Sequence, residues 1–131
     1  MSGAQLDSIV LDAGALIDVE RGGRRVLGLV DEGLRAGSAI VLPAPVLAQV
    51  WRGGERQARL ARFRRLPQVV VVPFTATDAE SVGALLATTG GSDVVDAHVV
   101  VVSRRTRPAV VLTSAPADLS ALDPRIRLVV V

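Results

Sequence analysis

Short runs of apolar residues alternate along the chain with segments in which apolar residues recur every three or four positions. The runs predict five β-strands, at residues 8–11, 39–42, 69–72, 109–112 and 126–131. The periodic segments predict helices at residues 14–19, 26–36, 46–51, 55–66 and about 77–90. This alternation is typical of an α/β fold in which helices cover a mostly parallel sheet of about five strands.

Residues 94–102 form an ambiguous segment, because their valines favour a strand by propensity. Ser92 and Asp93, in contrast, are typical of a helix N-terminus. A helix here would link two parallel strands by a right-handed crossover, and Arg104 and Arg105 at its far end would suit the helix dipole. We therefore predict a buried helix.

The composition excludes several kinds of chemistry. Half of the 131 residues are apolar, which is enough for one compact domain across residues 1–131. All 15 basic residues are arginine, and the net charge is only +2. The chain therefore lacks a lysine for a Walker-type phosphate site or a Schiff base, and a cysteine for thiol catalysis, zinc thiolates or disulfides. Its single histidine, His98, cannot build a multi-histidine metal site.

The cellular location is predicted from features that the sequence lacks. Residues 1–7 do not resemble a secretory signal, and no apolar run reaches the roughly 18 residues that a membrane span needs. A chain without cysteine fits a reducing compartment. We therefore expect a cytoplasmic protein without a membrane partner. The use of arginine to the exclusion of lysine is common in GC-rich coding sequences and favours a bacterial source.

Several carboxylates fall beyond the carboxyl ends of predicted strands, where parallel sheets bind ligands. Asp12 directly follows the first strand, and the segment TSAPAD at residues 113–118 follows the fourth. Asp93 and Asp96 are three residues apart, which places both on roughly one face of a helix. Carboxylates that converge without lysine repel each other, and Mg²⁺ or Mn²⁺ is the simplest neutralising partner. Such an ion can promote cleavage at a phosphate, so we predict phosphodiester hydrolysis.

Each of these acids also has a purely structural interpretation. Asp12 and Asp93 are typical of helix N-termini, and Asp118 can cap a short final helix. His98 lies among valines and is predicted to be a hydrogen-bonded core histidine rather than a general base. Only the joint placement of Asp12, Asp93 and Asp96 favours a site. No partner is evident in the sequence for three other aspartates, Asp7, Asp78 and Asp123.

A group of six arginines lies within fourteen residues, opposed by a single acid, Glu55. Its members are Arg52, Arg56, Arg59, Arg62, Arg64 and Arg65. On one helix, the first four would follow three- and four-residue spacing and form a basic stripe suited to a phosphate backbone. An ordinary solvated helix face, or pairing with an acidic partner protein, is the alternative interpretation.

Four segments of the chain resemble the PIN-domain ribonucleases and, within them, the VapC toxins of bacterial toxin–antitoxin pairs. The segments are IVLDAGALID (residues 9–18), LPAPVLAQVWRGG (42–54), SDVVDAHVV (92–100) and VLTSAPADLSAL (111–122). Their order and spacing match the family across nearly the whole chain. The resemblance implies one PIN-like domain with a three-layer α/β/α fold around a mostly parallel sheet.

The resemblance also implies a metal-dependent activity. In the PIN family, four acids bind Mg²⁺ or Mn²⁺ and cut RNA; the first corresponds to Asp12 and the third to Asp96, with Asp93 as a frequent companion. We therefore expect an endoribonuclease in which these three aspartates hold the ion and the stripe formed by Arg52, Arg56, Arg59 and Arg62 holds RNA. The family further implies a homodimer and inhibition by a cognate VapB-like antitoxin.

Two positions depart from the family pattern. Gln49 stands where the family usually has glutamate, and Ala115 stands where it has aspartate. Gln49 retains a carbonyl oxygen that can orient a water or a ligand, so we keep it among the predicted catalytic residues, whereas Ala115 offers no ligand atom. Ser114 and Asp118 lie nearby as substitutes.

Two other functions compete with the nuclease. Divalent-ion affinity follows the charge of the ligands, so Gln49 and Ala115 favour an impaired PIN-fold module that binds RNA or antitoxin without cleaving. The third candidate is another doubly wound domain, such as a phosphoacceptor receiver, which also needs an acidic cluster. Receiver domains usually place a lysine after a late strand, and this chain has none.

Overall fold

The computed structural model describes residues 7–131 of the chain. Within them, five strands form one sheet: β1 (Ser8–Leu11), β2 (Ile40–Pro43), β3 (Val69–Val72), β4 (Ala109–Thr113) and β5 (Leu128–Val130). Every neighbouring pair of strands is parallel. The predicted α/β fold with a mostly parallel sheet of five strands is therefore confirmed. The expectation about a secretory signal concerns a segment that, up to residue 6, lies outside the described residues.

Helices fill the connections between the strands. They are α1 (Ala13–Arg21), α2 (Arg24–Ala36), α3 (Ala44–Val50), α4 (Ala58–Arg64), α5 (Ala76–Thr89), α6 (Val94–Arg105) and α7 (Pro116–Leu122). Within residues 7–131, no single helix is long and apolar enough to cross a membrane, although α5 and α6 together reach that length and composition as a pair bent by 109°.

The order of the strands across the sheet is β3-β2-β1-β4-β5. The chain therefore moves from the central β1 to one edge and then returns to build the other side. Because crossovers between parallel strands are right-handed, the helices of the first half and those of the second half cover opposite faces. This is the three-layer α/β/α arrangement that the resemblance implies.

The ambiguous segment at residues 94–102 forms helix α6, so the predicted buried helix is confirmed. Its side chains are buried on most sides, and Ala97, Val99, Val100 and Val102 are fully inaccessible to solvent. The helix packs against α5, α7 and the central strands β1 and β4. A helix that is apolar over most of its surface is stable in such surroundings, so burial outweighs the strand propensity of valine.

The predicted helix at residues 55–66 is wrong in its first part. Glu55–Gln57 forms a 3₁₀ turn, and α4 covers only Ala58–Arg64. Before the turn, the backbone takes φ values of +76° at Gly53 and +83° at Gly54. Only glycine adopts these values readily, so the chain changes direction here instead of continuing as one helix.

Candidate functional site

The strand order reverses between β1 and β4, and the carboxyl ends of these two strands form the edge where a parallel sheet typically binds ligands. Asp12 follows β1, and Ser114 follows β4. The two segments are in direct contact, because a methyl group at Gly14 would overlap with the Ser114 hydroxyl. The first turn of α1 and the loop after β4 therefore form one continuous surface.

Asp12 is a buried carboxylate with a fixed orientation. It is 4% exposed, and as the N-cap of α1 it accepts the Ala15 N–H at 2.8 Å. Burial raises the pKa of Asp12, and hydrogen bonds from the Thr113 hydroxyl and the Ala15 N–H offset part of that increase. The sequence pattern placed Thr113 at this edge but did not indicate its contact with Asp12. The ionised form of Asp12 would gain stability from a nearby cation.

Asp93 and Asp96 occupy the start of α6. Asp93 is the N-cap, and its carboxylate accepts the Asp96 N–H at 2.9 Å. Burial, followed by the negative charges of Asp93, Asp12 and Asp118, raises the pKa of Asp96 to about 6. The charges of the other two predicted metal ligands and of Asp118 therefore act on Asp96. Their role in metal binding remains a prediction.

Three of these acids share a cavity. It has a volume of about 300 Å³ and is lined by Asp93, Asp96 and Asp118, together with the end of α5, the α5–α6 loop and α7. Within residues 7–131, neither these acids nor Asp12 forms an ion pair. Converging oxygen donors that carry uncompensated negative charge suit a hard divalent cation. In the same part of the chain, no group of three or more His, Cys, Asp or Glu side chains is arranged so that it could hold a metal ion.

The two positions that depart from the family pattern lie outside this cavity. Gln49 is exposed on α3, whereas Val46 and Val50 of the same helix are buried. Ala115 directly precedes α7, and its N–H donates to the Thr113 hydroxyl at 2.9 Å. The cavity that holds Asp93 and Asp96 is therefore lined by neither Gln49 nor Ala115, and Asp118 is the additional acid that lines it.

Two arginines of the predicted basic stripe are engaged at helix ends. Arg52 lies after the end of α3 and outside any helix. Its guanidinium group donates to the carbonyl oxygens of Ala48 at 3.1 Å and Trp51 at 2.7 Å. The guanidinium of Arg59 donates to the carbonyl oxygen of Glu20, at the end of α1, at 3.1 Å. The prediction of one continuous helical stripe is therefore wrong.

The loop that holds Arg52 is organised by a buried glutamine. The Gln57 side-chain oxygen accepts the N–H groups of Arg52 at 2.6 Å and Gly53 at 2.8 Å, and its amide donates to the Val50 carbonyl at 2.8 Å. These bonds fix the turn between α3 and α4. Arg56 and Arg62 remain exposed and form no ion pair within residues 7–131.

His98 is a hydrogen-bonded core histidine, as predicted. It is fully buried, and its Nε2–H donates to the Asp78 carboxylate at 2.8 Å. Arg105 donates to the same carboxylate at 2.6 and 3.2 Å. Hydrogen bonds from Arg105 and then His98 hold the pKa of Asp78 far below its usual range. No partner of Asp78 is evident in the sequence because both of its partners lie on another helix, α6.

The other two aspartates without an evident partner also form ion pairs. Asp7 accepts two hydrogen bonds from Arg127, both at 3.1 Å, and Asp123 accepts one from Arg104 at 3.1 Å. Asp7 and Arg127 are 120 positions apart and precede β1 and β5, which lie on either side of β4, so only the folded sheet brings them together. Local spacing in the sequence contains no signal for such a contact.

Comparison with known proteins identifies related folds. The family model described as "PIN domain" matches residues 9–115. No curated protein matches the chain significantly in sequence.

Solved structures match the chain over most of its length. A chain of VapBC2 from Rickettsia felis, crystallised with a DNA fragment from their promoter, has a TM-score of 0.67 and 14% identity over 93% of this chain and 97% of its own. A chain of DNA-bound VapBC from Salmonella typhimurium gives 0.66 and 14%, over 95% and 98%. A chain of FitAcB from Neisseria gonorrhoeae gives 0.62 and 17%, over 92% and 95%. At these identities, the likeness demonstrates a shared fold.

Proposed function

Because this chain belongs to the PIN-domain family, we propose that it is a Mg²⁺- or Mn²⁺-dependent endoribonuclease. It acts in the cytoplasm as a VapC-like toxin, folded as a single domain and neutralised by a cognate antitoxin. PIN domains are in general nucleases. The observation that carries the proposal is the cluster of unpaired carboxylates around Asp96, at the edge where the strand order reverses.

Asp12, Asp93 and Asp96 would hold the divalent ion directly or through water. When bound, the ion lowers the pKa of an attacking water and stabilises negative charge on the phosphate. Asp12 presents its carboxylate in an orientation fixed by the Ala15 N–H. Asp93, through its bond to the Asp96 N–H, fixes the start of α6 and so the direction of the Asp96 side chain.

RNA would reach this edge along the surface that carries the arginines. Arg56 and Arg62 are exposed and supply guanidinium groups that bind phosphate oxygens in two-pronged fashion. Arg52 and Arg59 add positive charge while they also bond helix ends. Gln49 is exposed on α3, and its amide would orient a water or the substrate.

An antitoxin and a second copy of the chain are the proposed partners. The structural neighbours VapBC2, VapBC and FitAcB support an antitoxin. Several large apolar side chains are exposed and would gain from being covered: Trp51, Leu66, Val70, Phe74, Val94 and Val130.

A non-cleaving PIN module is the second candidate function. It is favoured by the loss of two acids from the family pattern, at Gln49 and Ala115, because fewer ligand charges weaken binding of a hard cation. Such a protein would still bind RNA or an antitoxin through the same surfaces.

Cleavage of a labelled RNA by the purified protein, titrated with Mg²⁺ or Mn²⁺, distinguishes the two candidates. We expect metal-dependent cleavage that falls by at least about 100-fold in Asp96→Asn. Mutation of residues that only hydrogen-bond to a metal ligand already lowers metal affinity or activity by about 10- to 100-fold, and Asp96 is a proposed ligand. The matched control is Asp31→Asn on the exposed face of α2, where Asp31 pairs only with Arg35. Equal cleavage in Asp96→Asn would remove the catalytic assignment, and RNA binding without cleavage in any metal would favour the module.

A further inference from the structure

We propose that the cavity at the amino ends of β4 and β5 binds a small molecule that carries a phosphate monoester. The cavity has a volume of about 490 Å³, within the range of small-molecule sites. Because the strands are parallel, it lies at the edge of the sheet opposite to the one that carries Asp12. Its lining residues are different from those around Asp93 and Asp96, so binding here is independent of the proposed nuclease activity.

Four arginines line this cavity, and they come from three parts of the chain. Arg104 is in the last turn of α6, and Arg107 lies in the loop before β4. Arg125 and Arg127 precede β5. A guanidinium group binds phosphate oxygens through two parallel hydrogen bonds, and a cleft lined by charge of one sign concentrates ligands of the opposite sign. The lining therefore favours an anion, and phosphate in particular.

A buried carboxylate holds the chain in position around the cavity. The side chain of Asp123 is only 9% exposed. One of its oxygens accepts the Arg104 Nε–H at 3.1 Å, and the other accepts the Arg125 N–H at 2.9 Å. The Asp123 carbonyl also accepts the Ile126 N–H at 3.2 Å. The turn that carries Arg125 is therefore fixed before a ligand binds, which lowers the entropic cost of binding.

The charge balance of the cavity matches a phosphate monoester. Two of the four guanidinium groups are already paired, one with Asp123 and one with Asp7. Those of Arg107 and Arg125 form no ion pair within residues 7–131. A phosphate monoester carries a charge of about −1.5 to −2 at pH 7, whereas each phosphodiester of an RNA backbone carries a single negative charge. Two uncompensated guanidinium groups therefore favour the monoester.

The rest of the lining suits the carbon framework of an organic phosphate. Pro108, Ala109 and Ile126 contribute apolar surface beside the arginines. Apolar walls with a few charged groups that fix the orientation are typical of small-molecule sites. An organic phosphate monoester should therefore bind more tightly than inorganic phosphate does.

Isothermal titration calorimetry with the purified protein tests this assignment. The probes are AMP, inorganic phosphate and adenosine, and EDTA is present so that no divalent ion binds phosphate at the acids of the opposite edge. We expect AMP to bind more tightly than inorganic phosphate, and adenosine, which lacks the phosphate, not to bind.

Two double variants with the same change in charge locate the binding. Arg107→Gln with Arg125→Gln should weaken AMP binding by at least about tenfold, because hydrogen bonds to charged groups contribute more than neutral ones. Arg21→Gln with Arg24→Gln is the matched control, since both arginines are exposed and do not line the cavity. Its affinity for AMP should stay near the wild-type value. Both variants should melt near the wild-type temperature, because all four side chains are exposed.

Three results would overturn the proposal. The first is a wild-type protein that binds neither AMP nor inorganic phosphate. The second is equal AMP affinity in the two double variants, which would show that net charge alone attracts the anion. The third is displacement of AMP by a short RNA with a 5′-phosphate but not by the same RNA with a 5′-hydroxyl, which would assign the cavity to an RNA end. All three leave the nuclease proposal to be decided by the cleavage assay with Asp96→Asn.

Discussion

At the scale of single residues, the candidate site is a place where negative charge reduces stability. Asp12 and Asp96 are both held in surroundings that raise their pKa values, with burial as the first cause. Surface acids such as Asp31 pair with a neighbouring arginine instead. An arrangement that destabilises the protein but concentrates oxygen ligands is expected of a functional site rather than of a structural one.

Neutralising Asp96 should therefore stabilise the metal-free protein. The pKa of Asp96 is raised in the folded state from 3.8 to about 6, so the folded protein binds the proton more tightly than the unfolded chain does. Wild-type stability then falls as the pH rises from 4 to 6. At pH 7.5, Asp96→Asn should raise the free energy of unfolding by about 1 kcal/mol, which allows for partial exposure of the group.

Urea unfolding in EDTA at pH 7.5 and at pH 4 measures this effect. The advantage of Asp96→Asn should be present at pH 7.5 and should disappear at pH 4, where the wild-type carboxyl group is protonated in the folded state. An equal advantage at both pH values would mean that the stabilisation has another cause.

At the scale of elements, α6 connects the core to the site. Its middle residues are buried against the sheet, its first turn carries Asp96, and its last turn carries Arg105. Asp78 of α5 binds both His98 and Arg105, so one buried carboxylate fixes α6 at two points. The position of Asp96 thus depends in part on a contact that is far from the site.

Replacement of Asp78 should destabilise the fold strongly. Asp78→Ala leaves the buried His98 Nε2–H without its acceptor and removes the ion pair with Arg105, whose side chain is 48% exposed and can reach solvent. We expect a loss of about 2–4 kcal/mol at pH 7 by urea unfolding. The control is Glu80→Ala, an exposed acid on the same helix.

The pH dependence provides a second check on Asp78. Its pKa is lowered in the folded protein, first by Arg105 and then by His98, so its contribution is complete above the unfolded pKa near 3.8 and declines as the pH falls below it. The difference between wild type and Asp78→Ala should shrink in that acidic range. A difference that stays constant down to pH 2 would contradict the ion-pair explanation.

The elements differ in how well the sequence predicts them. Strands such as Val69–Val72 have the predicted limits, since a short apolar run between prolines has few alternatives. The helix predicted at residues 55–66 fails in its first part because Gln57 is drawn inward to bond the Arg52 and Gly53 N–H groups. That contact depends on the folded turn and has no periodic signature.

At the scale of the whole molecule, the strand order explains why part of the site was predictable. Asp12 could be chosen as a candidate because it directly follows β1, and Asp93 and Asp96 because their spacing places both in the first turn of one helix. Parallel strands bring such segments to one edge of the sheet. The inclusion of Asp118 depends on how α7 packs through Leu119. The exposed position of Gln49 likewise depends on which face of α3 is buried.

The distribution of arginines over the surface predicts where RNA binds and how strongly that binding depends on salt. Arg56 and Arg62 are exposed and form no ion pair within the described part of the chain, residues 7–131. In an Asp96→Asn background, chosen to suppress the proposed cleavage, replacing both by glutamine should lower the salt dependence of single-stranded RNA binding by about 1.4 in log–log slope, at about 0.7 for each phosphate contact. Arg107→Gln with Arg125→Gln is the matched control, since these exposed arginines line a different cavity at the opposite edge of the sheet. Equal slopes for the two double variants would show that RNA does not bind along the turn between α3 and α4.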